Sequence, residues 1–343
     1  MWKALAAAAV VLPAASLIAW SVSPWPSALL YRHLMDRGGV ALNAGLARHV
    51  PPGVTAETDI PYATIDPDAR LDVYRPASAG GAPLPAIVWT HGGAFISGDK
   101  SQVANYLRIL AHEGYVTVGV GYTLAPRAGY PGPVRQLAAA LAYLRTNARR
   151  HGIDPARIVL AGDSAGAQIA AQMTAIIASG DYAARVGIAA PIPRESLRAA
   201  ILHCGFHDPH DIRAGGSFGG FLDTVVWSYL GVRDLASDPR TADFSIVRNV
   251  SREFPPLFVS AGNADPLLPH SRTLVERARA QGVTVDALFF PGDHAPPLSH
   301  EYQFDLDGAA GREALARTRA FLARHLPPAA TVDGRSDDPS TGR

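Results

Sequence analysis

From Leu71 onward, short runs rich in β-branched and other apolar residues alternate with longer stretches of helical pattern. The expected strands are Leu71 to Tyr74, Ala86 to Trp89, Val116 to Gly119, Ile158 to Ala161, Ala200 to Cys204, Leu257 to Ala261 and Val285 to Phe290. Helices are expected over Val103 to His112, Pro133 to His151, Ala165 to Ala178 and His270 to Gln281. A closing amphipathic helix is expected over Gly311 to Leu326, with Leu315, Phe321 and Leu322 on its core-facing stripe. Strands and helices in this alternation predict an α/β fold, a doubly wound and mostly parallel sheet covered by helices.

Three stretches depart from that rhythm. Gly205 to Glu253 interrupts it and carries Phe218, Phe221, Leu222, Trp227, Tyr229 and Leu230, so it is expected to be an insertion that caps the carboxyl edge of the sheet. At the amino end, the run from Ala4 to Tyr31 is charge-free between Lys3 and Arg32, and its most apolar part, Ala4 to Val22, is near the length that crosses a bilayer. Residues 1–31 are therefore expected to be a membrane anchor or an export signal, although Pro13 and several Ala and Ser dilute the hydrophobicity and no clear cleavage triplet follows. A helix packed on the main domain, with a cytoplasmic location, is the alternative. Trp20 and Trp25 fit lipid headgroups or an apolar groove equally well. The tail at 327–343 is rich in Asp, Ser, Gly and Pro and is expected to be disordered.

Composition narrows the function. The chain has 343 residues, 48% hydrophobic and 18% charged, enough for a sizeable core. Its 31 Lys and Arg against 30 Asp and Glu lack the single-sign excess of a nucleic-acid binder. A single cysteine, Cys204, excludes an internal disulfide and a thiolate metal cluster. His207, Asp208, His210 and Asp211 lack a metal-site spacing and read as a solvated loop. Gly205, Gly215, Gly216, Gly219 and Gly220 lack the strand-to-helix setting of a dinucleotide fingerprint. No metal or cofactor is expected, and the oligomeric state is left open.

The strongest chemical signal is Gly162-Asp163-Ser164-Ala165-Gly166, between an expected strand and an expected helix. Small residues on both sides allow a sharp turn that presents the Ser164 hydroxyl, and the helix start aims backbone N–H groups at developing negative charge. Ser164 is the expected nucleophile. His91-Gly92-Gly93-Ala94-Phe95 follows the strand ending at Trp89, and its flexible backbone suits an oxyanion hole. The expected donors are the N–H groups of Gly93, Ala94 and Ala165, with Gly92 permitting the turn and His91 bracing the loop. Asp265, in the loop after Leu257 to Ala261, is the expected carboxylate that orients the base. Two histidines, His294 and His300, follow the last strand; His300 is preferred as base because the aromatic segment and final helix after it suit a loop returning to the sheet edge.

These parts together resemble the hormone-sensitive-lipase-like esterases of the α/β-hydrolase superfamily over roughly residues 55 to 326. The His-Gly-Gly loop, the Gly-Asp-Ser-Ala-Gly elbow, Asp265-Pro266-Leu267 and a late histidine occur in the family's order, and Gly121 to Pro126 with Tyr130-Pro131 matches its segment after the next strand. Ala94 replaces the more frequent third glycine, and His300-Glu301-Tyr302 departs from the family's shorter His-Gly-Phe. The distance from His300 to Phe321 and Leu322 fits the family better than that from His294. The resemblance implies one hydrolase domain over 32–326, with cap contributions from 32–54 and 205–253. It also implies hydrolysis of a small-molecule, apolar carboxylic ester through an acyl-enzyme. Amidase, peptidase or acyltransferase chemistry on the same triad is one alternative; a noncatalytic binding or membrane scaffold is another.

Overall fold

The computed structural model describes residues 19–64, 66–210, 216–233, 235 and 238–327, the side chains of 216–218 excepted. Eight strands form one sheet: β1 (Val54–Pro61), β2 (Arg70–Pro76), β3 (Leu84–Thr90), β4 (Val116–Val120), β5 (Ile153–Asp163), β6 (Leu197–His203), β7 (Leu257–Ala261) and β8 (Val285–Phe289). Their order is β1-β2-β4-β3-β5-β6-β7-β8. The pairs β1/β2 and β2/β4 are antiparallel and the others parallel. The helices are α1 (Trp25–Leu46), α2 (Ala104–His112), α3 (Gly132–Thr146), α4 (Ala148–His151), α5 (Ser164–Ala178), α6 (Gly180–Val186), α7 (Gly216–Leu230), α8 (Arg240–Phe244), α9 (Ile246–Asn249), α10 (Leu268–Ala280) and α11 (Ala309–His325).

Every residue of β3 is buried, because alternate side chains enter two different layers. Ala86 and Val88 join the core with α3 and α5, while Ile87 and Trp89 join Tyr106, Leu107 and Leu110 of α2 and Phe321 and Leu322 of α11. α5 is buried along its whole length, covered by the sheet on one side and by residues such as Phe244 of α8 on another. The edge strand β1 was not expected from the sequence. Its side chains are mostly exposed, so it carries no apolar run. The expected helix from Pro133 to His151 is two helices, divided at Asn147, whose Nδ2 donates to Tyr143 O at 2.9 Å.

α1 lies across the loop that follows β3. Arg32 donates to Ile96 O and Ala125 O, and Asp36 accepts from Gly98 N at 2.9 Å. The charge-free run is therefore divided: Trp25 to Tyr31 begin a helix attached to the domain, whereas residues 1–18 of the expected anchor lie outside the described residues. No helix among the described residues is long and apolar enough to cross a membrane. The expected tail, apart from Pro327, also lies outside them.

Candidate active site

The turn from β5 into α5 brings Ser164 to the carboxyl edge of the sheet with φ of 52°. Such a left-handed residue is uncommon unless it is a glycine, and its neighbours show what the turn requires. A Cβ on Gly166 would lie 2.0 Å from Thr90 O, so the helix start can approach β3 this closely only without a side chain. Ser164 Oγ lies 2.9 Å from His300 Nε2. On the other side of the ring, His300 Nδ1 donates to Asp265 Oδ2 at 2.9 Å and Oδ1 at 3.0 Å. The Asp265 side chain is fully buried, and its Oδ1 also accepts from Leu267 N at 2.8 Å.

The structure brings Ser164, Asp265 and His300 together and leaves His294 elsewhere. His294 Nδ1 donates to Pro296 O at 3.0 Å, and its ring sits against Phe290. Asn263, to which the sequence assigned no role, laces the two loops. Its Oδ1 accepts from Leu298 N at 2.8 Å and its Nδ2 donates to His294 O at 3.2 Å, while Ala264 N donates to Leu298 O. Burial works against charge on His300, but the electrostatic pull of the Cys204 sulfur, together with hydrogen bonding to Asp265 and Cys204 and the Asp265 charge, outweighs it and raises the His300 pKa well above the ordinary histidine range.

The loop after β3 is fixed from two sides. His91 Nδ1 donates to Gly92 O at 2.8 Å, and its ring stacks on Tyr122 at 4.3 Å. Burial lowers the His91 pKa, so the ring is neutral at neutral pH. Asp163, the second residue of the elbow, accepts from Trp89 Nε1 at 2.7 Å and from Gly92 N at 2.8 Å. This link between elbow and loop escaped sequence reasoning, which treated Asp163 only as a spacer. The Gly92 N–H is thereby engaged, whereas the N–H groups of Gly93 and Ala94 serve no hydrogen bond among the described residues. Ala165 lies in the first turn of α5, where N–H groups lack intrahelical acceptors.

Two cavities flank Ser164 and His300. One is apolar and includes Met35, Phe95, Phe206, Phe221, Leu222 and Val225. The other lies toward α1 and includes Leu42, Gly93, Gln102, Asp163, Glu301 and Phe304. Among the aromatic residues of the insertion, Phe221 lines the first cavity, Tyr229 stacks on Phe95 at 3.9 Å, and Trp227 carries the Arg233 guanidinium. The Phe218 side chain lies outside the described residues.

His207 corrects the reading of a solvated loop. It is fully buried, and burial, with His270 nearby, lowers its pKa to about 3. Asp211 lies outside the described residues. Donor atoms of Cys204, Asp265 and His300 lie within 4.8 Å of one another. The His300–Asp265 hydrogen bond already occupies that grouping, and burial pushes the Cys204 thiol up, away from the thiolate that binds metals.

A family model described as the alpha/beta hydrolase fold matches residues 87–295. The acetyl esterase of Salmonella paratyphi B is 27% identical over 287 residues, 81% of this chain and 83% of that protein. The acetyl esterase of Salmonella choleraesuis is 28% identical over the same shares. Among solved structures, esterase B of Lactobacillus rhamnosis has a TM-score of 0.74 at 23% identity, covering 87% of this chain and 96% of its own, a likeness of fold. A thermostable carboxylesterase cloned from a metagenomic library has a TM-score of 0.69 at 25% identity, covering 90% and 99%.

Proposed function

The chain belongs to the α/β-hydrolase family, in its hormone-sensitive-lipase-like branch, and from that premise we propose that it is a serine carboxylesterase acting on small-molecule esters through an acyl-enzyme. The observation that carries this reading is the unbroken hydrogen-bond chain from Ser164 through His300 to Asp265. His300 Nε2 takes the Ser164 proton as Oγ attacks the ester carbon, and Asp265 stabilises the imidazolium that results. The N–H groups of Gly93, Ala94 and Ala165 hold the oxyanion. As the tetrahedral intermediate collapses, His300 returns the proton to the departing alcohol. Water then attacks the acyl-serine by the same route and releases the acid. The apolar cavity supports an apolar acyl group, and the relatives named acetyl esterases support a short one.

Ser164→Ala tests the covalent mechanism. Turnover of a short-chain nitrophenyl ester is expected to fall by about 10⁴-fold or more while the melting curve is retained; full turnover by the folded variant would sink the reading.

The same proposal includes contact with a membrane through α1. All eight exposed large apolar side chains among the described residues lie between Trp20 and Leu42. His33 and Arg37, also exposed there, suit anionic headgroups. Flotation with anionic vesicles is expected to carry the full chain upward and to fail for Leu30→Glu/Leu34→Glu; equal flotation of both would reject the contact.

A further inference from the structure

Glu301 follows the proposed base with φ of 62°, a left-handed conformation that a residue with a Cβ rarely adopts. The turn sends its carboxylate into the cavity beside α1. Oε1 lies 4.0 Å from His300 Nε2, and the carboxyl shares a hydrogen bond with Asp163. Trp89 and Gly92 hold Asp163 in place, and burial beside Glu301 raises the Asp163 pKa well above the ordinary carboxylate range, so Asp163 carries the proton of the shared bond and Glu301 accepts it. No Lys or Arg lines this cavity among the described residues, and His91 in its wall is neutral at neutral pH. Its other walls include Met35, Leu42 and Phe304, which suit methyl and methylene groups and, at the aromatic face, a cation.

The reaction fixes which half of the ester reaches Glu301. The leaving oxygen takes its proton from His300 Nε2 and must come within about 3 Å of it. Substituents a few bonds beyond that oxygen then fall beside the carboxylate. Among the described residues, His300 is the one acidic or basic side chain lining the opposite cavity, which suits the acyl half.

We propose that the cavity beside α1 is the leaving-alcohol subsite and that Glu301 selects alcohols bearing a protonated amine or quaternary ammonium group near the ester oxygen. This inference rests on the esterase reading and adds the chemical class of the alcohol. The Glu301 side chain is 22% exposed, which moderates the attraction.

The test compares kcat/KM for butyrylcholine and 3,3-dimethylbutyl butyrate, which share a shape and differ in charge. The full chain is expected to prefer the cationic ester about tenfold at low salt. Glu301→Gln is expected to remove the preference and Glu301→Asp to keep most of it. Glu301→Gly, which fits the left-handed conformation, gives a second uncharged variant should the glutamine fold poorly. A ratio that stays the same in the glutamine and glycine variants overturns the assignment. A second pair, the methyl esters of 4-(trimethylammonio)butanoate and 5,5-dimethylhexanoate, puts the charge on the acyl side. Glu301→Gln is expected to leave that ratio unmoved; a shift there in place of the alcohol-side ratio also overturns the assignment. Turnover of the neutral butyrate by the unaltered chain upholds the esterase reading whichever way the ratios fall, whereas no turnover of any ester ends both.

Discussion

Ser164, Asp265 and the loop from His91 to Phe95 hang from the ends of β5, β7 and β3, whereas Met35, Phe221, Leu222 and Val225 above them come from α1 and α7. The lower group is held by directional bonds. Asp163 ties the elbow to Gly92, Asn263 ties the Asp265 loop to the His300 loop, and Asp265 is bonded to Leu267 N. The upper side chains meet one another by packing, as in the edge-to-face contact of Tyr31 with Phe221 and the stack of Phe95 on Tyr229, while the Arg32 and Asp36 side chains bond α1 to the loop beneath. Directional bonds fix atoms to within fractions of an ångström, as proton transfer requires. Packing tolerates a change of shape, as a pocket for different acyl groups requires. Substitutions below should therefore act on kcat, and those above on the choice of substrate.

The largest effect separating the two regions is expected from Asp265→Asn. An amide cannot stabilise the imidazolium, and it favours the wrong tautomer, so kcat is expected to fall by about 10³–10⁴-fold. A pH profile sharpens this. As the proposed base, His300 would have to be neutral to accept the serine proton, and its pKa is held above the ordinary value. The acid limb of kcat/KM is thus expected above about pH 6.5, and residual activity of the variant should show it at lower pH. The stability contributed by the pair is full below the unfolded pKa and is lost as pH rises through the raised folded value. An unshifted acid limb would mean that the carboxylate does not govern the ring.

A smaller effect is expected from Asp163→Ala, which strips the acceptor from the Trp89 indole and the Gly92 N–H, both buried. Each orphaned donor costs about 1–3 kcal/mol, so urea unfolding should show a marked loss of stability. Slackening of the donor loop is expected to lower kcat by about 10–100-fold with little change in KM. A variant that loses stability alone would make Asp163 a brace for the fold and leave the loop geometry to other contacts.

The same division explains what could be read from the chain. The elbow is legible because its backbone demands small residues at Gly162 and Gly166, and the parallel strands are legible because burial on both faces leaves continuous apolar runs. The choice between His294 and His300 depends on the loop path set by Asn263 and Leu298, a contact across 35 positions that no local pattern encodes. β1 is an exposed edge, and α1 turns many of its large apolar residues outward, so neither carries the stripe by which an element announces itself. Glu301 has a backbone conformation that its residue type does not advertise.

The smallest expected effect comes from the cover. Phe221 lines the apolar cavity and meets Tyr31 of α1 at 5.0 Å between ring centroids. Phe221→Ala removes a wall without touching the proton path, so kcat for an acetate ester should change by less than about threefold. Each methylene newly accommodated is worth about 0.8 kcal/mol, and screening by water at the opened edge will reduce that gain. The kcat/KM for a hexanoate ester relative to acetate is therefore expected to rise about fivefold. A chain-length series measures this directly. If instead kcat for acetate falls as steeply as in the Asp265 variant, the cover helps to position the reacting atoms, and the division between a bonded floor and a packed lid fails at the contact between α1 and α7.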